Sequence, residues 1–358
     1  KLLMVYVGFS GGTGGAVATQ TISNFTFISS AVASPSFAND LNVSAGVVGN
    51  VAVVATAGTP DFSMGNLGMG SGATLSLAPA GGSAGDIDYS LTLGATSLAG
   101  PAAFAVANNG AGTGTLELGA VSGGAAASLT KNGPGTLVLS GANSYQGDTT
   151  VADGTLALVT GGTNNIASSP TVDVRGGAVL DVTGVAGGFT LDPAQFLKGN
   201  GTVVGNVTGS AGSTMSAGSS PGTLTIVGDY DQGGGTLLAE LAGYDQGAAT
   251  ATGYDWILVN GQATLGGVIA VDLINGFLPY EGAVFTILTA TNGITNVDFS
   301  GIEFDFDYGP GGTYSYAPRF VETQDGVSLQ LQVVPEPITL TLLGLAATGL
   351  GGYIRRRR

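Results

Sequence analysis

Lys131-Asn132-Gly133-Pro134-Gly135-Thr136-Leu137-Val138-Leu139-Ser140-Gly141 sets a Gly-Pro-Gly corner in front of a short alternating run. Variants of the same opening recur at Gly114-Thr115-Leu116-Glu117-Leu118, Gly154-Thr155-Leu156-Ala157-Leu158, Gly177-Ala178-Val179-Leu180, Gly201-Thr202-Val203-Val204 and Gly222-Thr223-Leu224-Thr225-Ile226. Their second residues fall at 115, 136, 155, 178, 202 and 223, in steps of roughly 19 to 24 residues, the length of one solenoid rung. Each run carries too few apolar residues to bury a core alone, but stacking equivalent positions makes a continuous one. Glycine supplies the corners, and Thr or Val in register can form ladders along the stack. The predicted fold is all-β, a right-handed parallel β-helix.

Composition agrees. The 358 residues include 64 Gly, while only 9% are charged and 44% are hydrophobic, which is not the profile of a disordered chain. Glycine is therefore read as turn chemistry between short strands. Ala73-Thr74-Leu75-Ser76-Leu77 and Tyr89-Ser90-Leu91-Thr92-Leu93 extend the same pattern into residues 1–110, a Gly/Ala/Ser-rich β region. Its first residues, 1–18, read either as a first strand or as a signal-peptide remnant with Ala16-Val17-Ala18 as the cleavage site. The net charge of −15 and the scattered cations Lys1, Lys131, Arg175, Lys198 and Arg319 exclude nucleic acid as a partner. Cysteine and histidine are absent, which removes thiol nucleophiles, disulfides, histidine bases and the usual zinc ligands.

Residues 129–158 resemble the autotransporter-associated β-strand repeat, also called the passenger-associated transport repeat. The matching residues run Lys131-Asn132-Gly133, Gly135-Thr136-Leu137-Val138-Leu139-Ser140-Gly141, Asn143, Tyr145, Gly147, Thr149, Val151 and Gly154-Thr155-Leu156. The resemblance implies a β-helical, passenger-like stem exposed outside the cell, and no chemistry. It lies within a solenoid region at 111–228. Residues 229–333 resemble the closing module of such proteins, whose last rungs cap an edge that would otherwise template aggregation. Trp256, the one tryptophan, reads there as cap packing or, alternatively, as a sugar platform.

Residues 334–358 form a separate unit. Pro335-Glu336-Pro337 precedes an uncharged run, Ile338 to Ile354, and then Arg355, Arg356, Arg357 and Arg358. As a helix, 338–354 is roughly 26 Å long, just short of a ~30 Å hydrocarbon core, and the arginines hold its end on the cytoplasmic side. The two prolines separate this transmembrane helix from the strand-like Val327 to Val333. The order of elements resembles the PEP-CTERM sorting signal of bacteria that export proteins with extracellular polysaccharide. That resemblance implies recognition of Pro335, Glu336 and Pro337, and cleavage, by a membrane-embedded exosortase. The alternatives are a plain tail anchor or a buried helix, the latter disfavoured by four terminal arginines.

Active-site motifs fail on inventory. Gly218-Ser219-Ser220-Pro221-Gly222 fits a nucleophile elbow, but no histidine exists to activate Ser220 and Pro221 has no N–H for an oxyanion hole. Gly68-Met69-Gly70-Ser71-Gly72-Ala73 lacks the helix that a dinucleotide loop needs. No cofactor is expected apart from Ca²⁺, for which Glu303, Asp305 and Asp307 are the candidates because alternation puts them on one strand face. The bland reading of those acids is a solvated face opposite Phe304 and Phe306. Two function classes follow. The first is an exported structural or adhesin-like protein of the cell surface or extracellular matrix, with an exosortase and polysaccharide or matrix components as partners, held transiently in the membrane by the C-terminal helix. The second is a polysaccharide lyase or glycosidase on a β-helix scaffold. The scarcity of cations and the scattered acids favour the first, a non-enzyme.

Overall fold

The computed structural model describes residues 24–28, 36–55, 60–81, 83–159, 165–218, 221–296, 302–306, 315–323 and 326–334. The candidate signal remnant, Ser219 and Ser220, Asp307, the Pro-Glu-Pro motif, the apolar run and the arginines lie outside these residues. Among the described residues the architecture is all-β, and no helix is long and apolar enough to cross a membrane. Parallel strands stack into two long sheets of fourteen and twelve strands, with a third side made by two shorter sheets of four and five. The chain winds as a β-helix-like solenoid. One rung, for instance, visits the first sheet at Ala102–Val106, the second at Gly114–Leu118 and the third side at Val121–Gly123 before returning at Leu129–Asn132.

Alternation decides what goes inside. In the second sheet Phe62, Leu91, Leu116, Leu137, Leu156, Leu180, Val203, Ile226 and Val259 are direct neighbours in register and form one buried column. Each of these side chains contributes about 1.5–3 kcal/mol by leaving water. Beside that column, on the outer face, run Ser90, Thr115, Thr136, Thr155, Val179, Thr202 and Thr225, spaced ~4.8 Å apart like any parallel neighbours.

This register corrects the spacing inferred from the Gly-Thr-Leu openings at two rungs. Thr155 pairs with Val179 rather than Ala178, and Thr202 pairs with Thr225 rather than Thr223. Ala178 is buried at the corner, so its strand begins one residue later. A two-residue slip at Thr223 leaves every side chain on its own face, so the sequence pattern alone could not detect it.

The third side is where the rungs differ. Strands at Leu41–Val43, Leu67–Met69, Thr96–Leu98 and Val121–Gly123 form one small sheet, and those at Phe189–Thr190, Val207–Thr208, Tyr230–Asp231, Ala263–Thr264 and Ile294–Thr295 form the other. Both use the same device at two successive strands. Asp40 accepts the Asn66 N–H (2.6 Å) and Asn66 accepts the Ala95 N–H (3.0 Å); in the second sheet Asn206 accepts the Asp229 N–H (2.9 Å) and Asp229 accepts the Gln262 N–H (2.8 Å). A side-chain oxygen just before each of these four strands thus ties its rung to the next. Replacing Asp229 with alanine should cost about 1 kcal/mol in urea denaturation, and asparagine should recover most of it, because the amide oxygen still accepts.

The stack ends with a change of direction. Val284–Ala290 pairs antiparallel with Gly326–Val334, which pairs antiparallel with Ser315–Thr323. The antiparallel pair makes the end of the second sheet among the described residues, with Ser315–Thr323 as its outermost strand.

Candidate functional site

Residues 129–158 span the rungs on which the third side has no strand. Asn143 and Ser144 continue the hydrogen bonding there irregularly: the Asn143 side-chain oxygen accepts the Val121 N–H (2.9 Å), and the Ser144 N–H donates to Val121 O (2.8 Å). The Asn165 amide donates to Leu139 O (3.2 Å) in the following turn. Tyr145 points inward and is buried; its hydroxyl bonds Thr149 Oγ1 (2.6 Å), which bonds Ser169 Oγ (2.9 Å), while Gln195 donates to Ser169 O (2.9 Å) and Ile166 O (3.1 Å). A buried polar chain from Tyr145 to Gln195 therefore stands beside the missing strand ladder, while the Asn143 amide nitrogen and the Asn165 amide oxygen are buried without a partner among the described residues. Burial pushes the Tyr145 hydroxyl far above the usual phenol range, so it stays protonated and able to donate.

Lys131 holds the opposite corner. It stands in the inward column of the first sheet between Phe104 and Val151 and is fully buried, not one of the scattered surface cations expected from sequence. Its ammonium donates to Asn132 O (3.0 Å), Gly133 O (2.6 Å) and Asp153 O (3.1 Å), joining two successive corners. Burial lowers its pKa to about 8, with the Asp153 carboxylate opposing that shift. Gly154 makes this approach possible. A Cβ there would lie 2.8 Å from Lys131 Nζ and inside the contact distance of Gly133 O and Gly135 O, and its φ is +66°. The signal for Lys131 was its parity with Leu129, overridden by the usual reading of lysine as surface.

A second buried charge site was also missed. Asp255 is 1% exposed and accepts from Ser216 Oγ (2.8 Å), the Gly222 N–H (3.0 Å) and the Glu240 N–H (3.0 Å). Burial raises its pKa to about 7 in spite of those donors. The carboxylate clasps strands of the first sheet to the corner at Gly222.

Trp256 faces outward in the second sheet, half-buried, and its Nε1 donates to Thr289 Oγ1 (3.1 Å). Gly247 of the preceding excursion lies against it: a Cβ there would be 3.3 Å from Trp256 Cε3. It packs beneath a loop rather than in the core. Glu303 and Asp305 are exposed on the strand Glu303–Phe306. No group of three or more potential metal ligands occurs among the described residues. Asp86 and Asp88 spend an oxygen each on the Ala111 N–H (2.6 Å) and the Thr113 N–H (2.7 Å) of the next rung. A shallow groove of about 310 Å³ on the first small sheet, lined by Asp40, Asn42, Asn66, Ser97 and Ser122, offers neutral hydrogen-bonding groups and one carboxylate already engaged between rungs.

Two comparisons bear on this arrangement. The passenger-associated-transport-repeat family matches residues 129–158, the rungs with the Lys131 corner and the Tyr145 chain. The chain is also similar to the Adhesin BmaC autotransporter of Brucella suis biovar 1 (strain 1330), at 37% identity over 133 residues. That stretch is 35% of this chain and 4% of the relative, so the chain spans a small fraction of the protein it matches.

Proposed function

We propose that this chain is an exported, adhesin-like protein of the bacterial cell surface or extracellular matrix, working as a right-handed β-solenoid stem. The observation that carries the reading is the passenger-type repeat at 129–158, seated in register within a continuous parallel stack. Similarity to part of an autotransporter adhesin supports it. The stem needs no catalytic step: its polar side chains are spent on rung-to-rung links, and its acidic surface resists other anionic polymers. The C-terminal Pro335-Glu336-Pro337, apolar run and arginines are proposed to deliver it, first holding it in the membrane and then releasing it through an exosortase.

Two measurements on the producing bacterium test this separately. Surface protease treatment of intact cells should digest the chain; full protection together with recovery in the cytosol would overturn the display reading. Mass spectrometry of the extracellular form should find an end before Ile338, and an intact Arg355–Arg358 tail on it would refute processing while leaving display in place.

A further inference from the structure

Two loops interrupt the rungs of the last third of the stack, and they meet. The first leaves Thr236–Leu241 and returns at Trp256–Val259, bonded to itself by the Ala242 N–H to Gly253 O (2.9 Å) and the Asp245 N–H to Thr252 O (3.0 Å). The second follows Val268–Leu273 and turns at Asn275-Gly276, both at positive φ (55° and 71°), with the Phe277 N–H donating to Ile274 O (3.0 Å). That is a tight turn of the primed type, with little freedom. Tyr244 of the first loop packs edge-on to Phe277 (4.9 Å between centroids), tilts against Tyr280 (5.2 Å, 40°) and stacks on the buried Phe285 (5.9 Å, 12°). The Tyr280 N–H donates to the Tyr244 hydroxyl (3.0 Å). The rings are braced from behind, yet Tyr244 remains 47% exposed, Leu278 53% and Tyr280 64%.

A fixed aromatic surface left in water is a recognition feature more often than a structural one. We propose that Tyr244 and Tyr280 form a platform for a neutral glycan chain. The platform's size argues for a few sugar rings: two tyrosines about half exposed offer roughly 200 Å² of ring, far below the ~800 Å² per partner of a stable protein interface. Sugar rings present C–H faces that stack on an aromatic plane and hydroxyls that need acceptors at its rim. Asp245 and Glu281, each next in sequence to a platform tyrosine, are exposed acceptors, with one Asp245 oxygen already taking the Thr252 hydroxyl (2.7 Å). The same two carboxylates repel an acidic polymer. Arg319, two strands along the ladder from Val284–Ala290, is held by the side-chain oxygens of Gln330 (3.1 Å) and Gln332 (3.2 Å) rather than offered to an anion.

The platform rests on the reading that the chain is displayed where extracellular polymers reach it, but its test does not. Purified full-length chain is run by native electrophoresis through gels containing dextran, mannan or, as the anionic comparator, alginate, at physiological salt. Dextran or mannan should retard it and alginate should not. Y280A should weaken the retardation by about tenfold or more with melting unchanged, Y244A/Y280A should weaken it at least as far with a lower melting temperature, and Y244F should retain it. Y280A alters the most exposed ring, so it remains informative even where the double variant misfolds. Equal mobility in both neutral gels, equal retardation by alginate, or undiminished binding by Y280A would overturn the proposal. So would a concentration-dependent dimer in sedimentation that Y280A abolishes, since a second copy would then be the occupant. Absence of glycan binding by a chain that protease still finds on cells removes the platform alone, and cytosolic retention removes display alone.

Discussion

Replacing Lys131 with alanine should destabilise the protein by about 2–4 kcal/mol in urea denaturation, because it opens a cavity in the first-sheet column and strands three corner carbonyls. Methionine should cost less, since it fills the space and loses only the hydrogen bonds. The pH dependence separates this role from plain packing. In the folded chain the ammonium titrates at about 8, whereas in the unfolded chain it stays protonated to the ordinary lysine value of 10.5. Between pH 8 and 10.5 the unfolded state binds more protons, so this group makes stability rise with pH. Below pH 8 both states are protonated and its contribution is flat. The advantage of the wild type over K131M should therefore grow from pH 7.5 to 9.5. Measurement stops there because both proteins lose stability once unfolded tyrosines ionise near 10 while burial keeps Tyr145 and Tyr230 protonated in the fold. A difference between the two proteins that does not change with pH would show that the lysine is not titrating inside the fold.

Gly154→Ala should be at least as damaging. Its positive φ alone costs about 1–2 kcal/mol for an alanine. The added methyl also drives into the carbonyls of Gly133 and Gly135 and against Lys131 Nζ, which cannot withdraw from a packed corner. Overpacking of this kind adds roughly 1–3 kcal/mol, so a loss of about 2–5 kcal/mol is expected. Gly177, one rung on, gives the control: its φ is +83° but nothing lies within 4 Å of its Cβ position. Gly177→Ala should cost only the conformational part. Urea denaturation of the two variants measures the difference, and equal losses would mean that crowding at the Lys131 corner contributes nothing.

The sequence shows the second sheet plainly and the rest less so. Leu116, Leu137 and Leu156 share both spacing and parity, so their stacking follows from period alone. Register slipped where that signature weakened, at Ala178 and at the Thr223-Leu224-Thr225-Ile226 run, where two alignments keep the same faces. The third side was illegible because two-residue strands such as Phe189–Thr190 have no period to detect. Around Tyr145 there is no strand, only isolated backbone bonds such as the Ser144 N–H to Val121 O and a chain of side-chain hydrogen bonds. Buried Lys131 and Asp255 were hidden by their charge: parity with Leu129 placed the lysine inside, but only three-dimensional proximity reveals the carbonyls that make that tolerable. The aromatic platform was equally hidden, since Tyr244 and Tyr280 are brought together by two separate loops.

The rungs around Tyr145 also set how the molecule bears tension. A force pulling the two ends of a solenoid apart passes through every turn in series, and the turn with the fewest cross-links yields first. On these turns two sheets, a few isolated backbone bonds and a chain of side-chain hydrogen bonds stand where neighbouring turns have three ladders. Peeling one turn of about twenty residues releases roughly 70 Å of chain. A stem tethered at one end and attached at the other would thus lengthen in discrete steps under load, beginning mid-stalk, and absorb a pull that would tear a rigid rod from its anchor.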